Sequence, residues 1–167
     1  LVSKANLRGS VFFASALLIF AVGMAGAADI GLFGSNSNSA IASLLTSNGH
    51  TVTDFGVSAP SSAQLAGLDV LILIRTSGNA DIASFVSNGG LLVTEWDATN
   101  WALNSANLID ADDAGGGFIA SATPVTFTAA GATLGQGISN PYSYGPGTEF
   151  FRTFANIGSS VDILATR

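Results

Sequence analysis

The sequence contains no cysteine, which excludes disulfide bonds, thiolate nucleophiles and metal sites built on cysteine. Basic residues are scarce as well: five Lys and Arg stand against eleven Asp and Glu, and the net charge is −6. Because nucleic-acid binding requires a positively charged surface, this balance excludes DNA and RNA as partners. Charged residues make up only 10% of the chain, while 48% is hydrophobic. The surface must therefore be largely uncharged and polar, which is typical of exported proteins.

The amino-terminal segment has the order of features found in a signal peptide. Lys4 and Arg8 precede an apolar run over residues 11–22, and a stretch rich in Gly and Ala follows over 23–28. The apolar run is shorter than the roughly 20 residues that span a bilayer. We therefore predict a signal peptide over residues 1–28 that is cleaved on export. This places the mature protein outside the cell, in a periplasm or on the cell surface. The alternative is an uncleaved anchor, and in both cases membrane contact is confined to this segment.

The rest of the chain, residues 29–167, is predicted to form one domain. Residues 70–74 are five consecutive apolar residues, a pattern typical of a parallel strand covered on both faces. Apolar runs alternate with helical spacing, which predicts a three-layer α/β sandwich with a mainly parallel, flavodoxin-like sheet of order 2-1-3-4 plus later strands. The predicted strands cover residues 29–33, 50–55, 70–74 and 91–93, and strand two is expected to be less buried. The predicted helices cover residues 39–47 and 60–66, with a third that starts at Asn79 or Asp81 and ends before Gly89.

Regularity decreases after residue 98. The pattern predicts a helix over residues 99–106, a short strand over 124–128 and a last strand over 161–165. Loops are predicted over residues 110–117 and 139–147, and Phe150, Phe151 and Phe154 are expected to pack as a small cluster. The first residue is Leu and the last strand ends close to Arg167, so we expect the sequence to be truncated at its carboxyl end.

Ligands of open parallel sheets bind beyond the carboxyl ends of the strands, and three polar segments follow predicted strands there. They cover residues 34–38, 75–77 and 95–97. Arg75 can grip an anionic group or pair with a neighbouring carboxylate, and the indole of Trp96 can cover an apolar ligand face. The candidate ligand-binding residues are Ser35, Asn36, Arg75, Ser77, Glu95, Trp96 and Asp97.

Glu95 and Asp97 also allow a chemical interpretation. In extended chain they face the same side, so they can divide acid and base roles or hold a hard cation. Alternatively, Asp97 caps the following helix and Glu95 pairs with Arg75. Residues 110–117 are acidic and glycine-rich but lack the spaced donors and closing Glu of a calcium loop. We therefore predict no metal site, no cofactor and no catalytic residue.

Aromatic residues offer a further interpretation. Trp96, Trp101, Tyr142 and Tyr144 can present flat faces to a sugar, although packing in the core or in loops is the alternative. The single histidine, His50, begins the second predicted strand, so we expect it at the opposite end of the sheet in a structural role.

The segment from Asp69 to Ile74, a helix and the run Phe-Val-Ser-Asn-Gly-Gly-Leu-Leu-Val over residues 85–93 resemble the class I glutamine amidotransferase-like superfamily. The ThuA-like (trehalose utilisation) group is nearest, with later likenesses at Thr123-Pro124-Val125 and residues 162–166. The resemblance covers most of residues 29–167 and implies the same α/β fold. Where the amidotransferases have Gly-x-Cys-x-Gly, this chain has Thr-Glu-Trp-Asp-Ala over residues 94–98. The catalytic cysteine is absent, so glutaminase activity is not expected.

Three functional hypotheses follow. The first is an exported, non-catalytic binding or structural domain of the cell envelope, with a small molecule or a carbohydrate as its ligand. The second is a carbohydrate-active, ThuA-like enzyme that uses Glu95 or Asp97. The third is a subunit of a surface assembly.

Overall fold

The computed structural model describes residues 26–35, 38–119, 124–132, 137–143 and 149–166. The predicted signal peptide therefore lies almost wholly outside the described residues. Strands and helices alternate through the first part of the domain, as β1 (Asp29–Gly34), α1 (Asn38–Ser47), β2 (Thr51–Asp54), α2 (Ser62–Leu65), β3 (Val70–Ile74), α3 (Ala80–Ser87), β4 (Leu91–Thr94) and α4 (Trp96–Asn104). Four more strands follow as β5 (Asp112–Ile119), β6 (Thr126–Phe127), β7 (Glu149–Ala155) and β8 (Ala165–Thr166).

The first four strands form one parallel sheet in the order β2-β1-β3-β4. In the register of this sheet, Ile30 lies beside Val70, and Ile72 lies beside Val93. This arrangement confirms the predicted α/β sandwich with flavodoxin-like strand order.

The core has two layers, one on each face of the sheet. On one face, Ile30 and Ile72 pack with Ile41 and Leu45 of α1. On the other face, the side chains come from α2, α3 and α4 as well as from the strands, and include Leu65, Leu71, Leu73, Ile82 and Trp101. Every residue of β3 is buried, because the strand has neighbours on both sides and helices over both faces. Each such side chain contributes about 1.5–3 kcal/mol. β2 is an edge strand with no fully buried residue, as expected.

Helix boundaries follow local capping chemistry. The side chain of Asn79 accepts a hydrogen bond from the backbone N–H of Ile82 at 3.0 Å, which satisfies a free donor of the first turn of α3. Gly89 follows this helix with a φ of +96°, a conformation that glycine adopts without steric cost. One of the two predicted starts of the helix, Asn79, is thus its N-cap.

Three predicted elements differ in the structure. α4 starts at Trp96 rather than at residue 99, because Glu95 has the extended backbone of an N-cap and the chain turns into the helix directly after it. The predicted loop over residues 110–117 is wrong, since most of it belongs to β5, which pairs antiparallel with β7. The predicted strand over residues 161–165 is reduced to β8, whose partner is β6, within the predicted strand over 124–128.

The later strands also do not extend the parallel sheet, contrary to expectation. Within the described residues they form two separate antiparallel pairs, β5 with β7 and β6 with β8. α4 connects the two parts of the domain, because it contacts β3 and β4 as well as β5 and β7. The side chains of Phe150 and Phe151, predicted to cluster with Phe154, lie outside the described part of the chain.

Candidate ligand site at the carboxyl edge of the sheet

The carboxyl ends of β1, β3 and β4 lie along one edge of the sheet. β1 is flanked by β2 on one side and by β3 on the other, so the direction of the strand order reverses between β1 and β3. Open α/β sheets bind their ligands at this point of reversal. The exits of these two strands are in contact: the backbone N–H of Ser35 donates to the carbonyl of Ile74 at 3.4 Å. Gly34 has a φ of +142°, and a Cβ atom there would overlap that carbonyl. The close approach therefore requires glycine.

Arg75 leaves β3 in a strained backbone conformation. Its φ is +49°, in the left-handed region that costs a non-glycine residue roughly 1–3 kcal/mol. Its Nε atom lies 3.7 Å from Oε1 of Glu95, and its backbone N–H is hydrogen-bonded to the same carboxylate. The structure therefore confirms the interpretation in which Arg75 and Glu95 pair across neighbouring strand exits.

Glu95 is a buried carboxylate in an unusual position. Its residue is 8% exposed, and its side chain makes no capping hydrogen bond to α4 although it occupies the N-cap. Burial raises the pKa of the Glu95 carboxyl; the charge and the backbone N–H of Arg75 act in the opposite direction, and the charge of Asp97 adds to the rise. The net effect is a raised pKa. Oε1 accepts no hydrogen bond from the part of the chain that the structure describes.

The other candidate residues differ in how far they are exposed to solvent. Ser35 and Ser77 are exposed at the strand exits, and Trp96 and Asp97 are half-buried in the first turn of α4. The interpretation of Asp97 as a helix cap is wrong, because Glu95 holds the N-cap position. Asn36, also predicted to bind ligand, lies outside the described residues.

Sequence reasoning missed two residues that tie β1 to β2 at the same edge. The side-chain amide of Asn38 donates to the carbonyl of Gly34 at 3.1 Å and to Oδ1 of Asp54 at 2.7 Å. The same Asp54 oxygen accepts from the backbone N–H of Gly56 at 2.8 Å. An Asp-x-Gly sequence directly after a strand is the local signal that could have identified Asp54 as a turn residue.

A pair of threonines holds the start of α4 against β4. Oγ1 of Thr94 and Oγ1 of Thr99 are 2.9 Å apart and share a hydrogen bond, and Thr99 is only 1% exposed. Because Glu95 and Trp96 lie between these two residues, this contact fixes the turn that presents them.

The single histidine and one tryptophan have structural roles. His50 is 6% exposed, and its Nδ1 accepts the backbone N–H of Ala28 at 3.2 Å, at the amino end of β1. This confirms its expected position. Trp101 packs on Gly78, where a Cβ atom would lie 2.5 Å from the ring. It is therefore a core residue, and its indole does not offer a face to a sugar. Tyr144 lies outside the described residues.

The acidic residues after α4 stabilise the β5–β7 pair. Oδ2 of Asp113 lies 3.0 Å from Nη1 of Arg152 and accepts the Asn104 amide at 2.9 Å. Burial acts to raise the pKa of Asp113, but the hydrogen bonds from Asn104 and Gly115 and the charge of Arg152 outweigh it, so that the pKa is lowered. Asp112 accepts a hydrogen bond from Asn156 at 2.6 Å. These carboxylates are thus engaged by protein groups, and no cluster suited to a metal ion occurs in the described ranges.

The structure shows an α/β protein with a flavodoxin-like sheet. The exits of β1, β3 and β4 form the carboxyl edge of this sheet, and we use the name carboxyl-edge crevice for the space beside Arg75 and Glu95 at that edge. No family model, curated protein or solved structure matches the chain. No helix among the described residues is both long and apolar enough to cross a membrane.

Proposed function

We propose that the protein is an exported, non-catalytic binding domain. Its ligand is a small polar molecule, most directly a carbohydrate, which it binds at the carboxyl-edge crevice. The observation that supports this most directly is the pair formed by Arg75 and Glu95 where the strand order reverses. Such a crevice is the usual ligand position in open α/β sheets.

The backbone of Arg75 supports a binding role for its side chain. Glycine would adopt the left-handed conformation at this position without cost, whereas arginine does so at a free-energy cost. Its guanidinium is partly exposed, with a side-chain exposure of 40% against 10% for Glu95. A ligand hydroxyl can therefore accept a hydrogen bond from Arg75 and, with a small movement of that side chain, donate one to Oε1 of Glu95. The half-buried indole of Trp96 is beside this pair in sequence and can cover an apolar sugar face.

Two parts of the proposal, export and the carbohydrate class of the ligand, are supported by the sequence. The charged start, short apolar run and small-residue stretch over residues 1–28 support cleavage by a signal peptidase. The resemblance to the ThuA-like group supports a carbohydrate ligand, and the absence of cysteine supports a binding rather than a glutaminase role.

A glycan array followed by calorimetry tests the proposal. We expect binding of a glycan without its turnover, and a loss of about 1.5–3 kcal/mol of binding free energy for each charged hydrogen bond removed by Arg75→Ala or Glu95→Gln. Arg152→Ala is the matched control, because it breaks an arginine–aspartate pair far along the chain. Equal losses in all three variants, or none in the first two, would place the site elsewhere.

A catalytic role for Glu95 is the second candidate. Burial raises the pKa of its carboxyl, which is the environment that keeps a carboxylic acid protonated for general-acid catalysis. Product release from the bound glycan, abolished by Glu95→Gln, would replace the binding proposal with a carbohydrate-active enzyme.

A role as a subunit of a surface assembly is the third candidate. Val57 and Phe118 are large apolar side chains that are 75% and 70% exposed. A sedimentation coefficient that rises with protein concentration, and that rises less in the variant Phe118→Ser, would favour this role.

A further inference from the structure

A groove lies between α2 and α3, apart from the carboxyl-edge crevice. Its cavity volume is about 450 Å³, which is within the range of roughly 300–1,000 Å³ typical of small-molecule sites. None of the candidate residues of the crevice lines it. The groove is therefore separate from the crevice.

Part of the groove lining is apolar. Leu65 is 2% exposed, and Leu65, Leu68 and Phe85 contribute to the lining. The ring of Phe85 lies against Gly90, where a Cβ atom would overlap it. An aliphatic chain can lie on this surface, because contact with it removes apolar area from water.

Each end of the groove has a carboxylate. Asp81 is in the first turn of α3, and Asp69 directly precedes β3, beside the Gly89 and Gly90 that follow α3. α3 runs along the groove and has eight residues, so this helix is about 12 Å long at 1.5 Å per residue. The two acidic groups thus lie at opposite ends of an apolar floor.

Both carboxylates keep capacity for a ligand. Oδ1 of Asp81 accepts the hydroxyl of Ser62 at 2.6 Å, and Oδ2 of Asp69 accepts the backbone N–H of Asp29 at 2.9 Å. The second oxygen of each accepts no hydrogen bond within the described ranges. No Lys, Arg or His is among the described residues that line the groove.

We propose that this groove binds a linear aliphatic diammonium ion, with one ammonium group at Asp81, the other at Asp69, and the methylene chain over Leu65 and Phe85. An ammonium group has three donors and no acceptor, which matches carboxylate and hydroxyl partners. The side chain of Ser84 and the amide of Asn88 line the same groove and can accept further hydrogen bonds. A single ammonium ion would satisfy only one end.

The test uses 1,5-diaminopentane at pH 7 with the full chain, and compares it with n-pentylamine and pentan-1-ol. Two-dimensional amide NMR reports the site through Ser62, Ser84 and Gly89. We expect the diamine to bind up to about fivefold more tightly than the monoamine, since the second ammonium group adds an ion pair with a solvent-accessible carboxylate. Pentan-1-ol should bind weakest, and raising the salt concentration should weaken the diamine selectively.

Variants separate the ends of the groove. Asp81→Asn keeps an acceptor for Ser62 and removes the charge, and should reduce the affinity for the diamine to that for the monoamine. Asp69→Asn should do the same, and either variant decides the question if the other fails to fold. Asp162→Asn removes a charge elsewhere and should change nothing. No amide shifts with millimolar diamine, equal affinities for diamine and monoamine in the wild type, or an unchanged ratio in both groove variants would overturn the proposal.

Discussion

The Nε atom of Arg75 lies 3.7 Å from Oε1 of Glu95, so an exposed cation at the end of β3 covers a buried anion at the end of β4. The distance is that of an ion pair and exceeds that of a hydrogen bond. A pair of this kind is costly to break from one side, because a buried charge is then left without compensation. The pH at which Glu95 gains or loses its proton therefore reports directly on whether this pair is formed.

The first prediction concerns the pH dependence contributed by Glu95. Its pKa is raised above the ordinary value of 4.5, so the folded state holds the proton more tightly than the unfolded state. The contribution to stability is thus fully present below pH 4.5 and is lost as the pH rises through the folded pKa. We expect Glu95→Gln to remove this fall, as measured by urea unfolding between pH 4 and 8. Parallel curves for the variant and the wild type would contradict the prediction.

The second prediction concerns Asp113, whose pKa is shifted in the opposite direction. The pKa of Asp113 lies below the ordinary value of 3.8. The contribution of Asp113 to stability is therefore present above pH 3.8 and is lost as the pH falls through the folded pKa. Asp113→Asn should lower the free energy of unfolding at pH 7 by about 1.5–3 kcal/mol, as for other hydrogen bonds to charged groups, and should flatten the acid limb of the curve. Asp162→Asn is the control, and an equal effect there would show that net charge alone is responsible.

The third prediction is that the protein does not release ammonia from glutamine. The chain has no cysteine, and directly after β4, where the amidotransferases that the sequence resembles place their nucleophile, it has Glu95 and Trp96. A coupled ammonia assay with purified protein measures this. Turnover that copurifies with the protein and disappears in Glu95→Gln would contradict it.

The predictability of the fold differs between its two parts for a physical reason. The bounds predicted for β3 are those observed, because a continuous apolar run in a parallel strand reflects coverage on both faces. In contrast, β5 contains Gly115, Gly116 and Gly117 and has no periodicity. Its strand conformation depends on pairing with β7, in which Asp113 lies beside Phe154, and no local pattern encodes a partner so distant in the chain.

The same distinction applies to the site. Arg75 and Glu95 were predictable as neighbours, since the ends of parallel strands locate the residues that follow them. Asn38 and Asp54 were not, because their hydrogen bond depends on the register that places Leu32 beside Asp54. The Thr94–Thr99 contact was missed because the start of α4 was predicted too late.

The fourth prediction concerns export. Residues 1–28 have the charge, length and small-residue order of a cleaved segment, so intact-mass measurement of protein secreted by an expressing cell should give a chain that starts close to Asp29. A secreted product that retains Lys4 and Arg8 would show that the segment is not cleaved.

The last prediction tests the contact between the exits of β1 and β3. Gly34 has a φ of +142°, and a Cβ atom there would overlap the carbonyl of Ile74. Gly34→Ala must therefore strain the backbone or separate the two strands, at a cost of roughly 1–3 kcal/mol for the backbone alone. Unfolding by urea measures the loss of free energy.

Gly67 provides the matched control for this substitution. It follows α2, and a Cβ atom there has no heavy atom within 4 Å. Gly67→Ala should be neutral or stabilise by about 0.4–1 kcal/mol, because it restricts the unfolded chain without disturbing the folded one. If Gly34→Ala proved as stable as Gly67→Ala, the exits of β1 and β3 would be able to separate without cost, and the crevice between them would lack the rigid edge that its binding role requires.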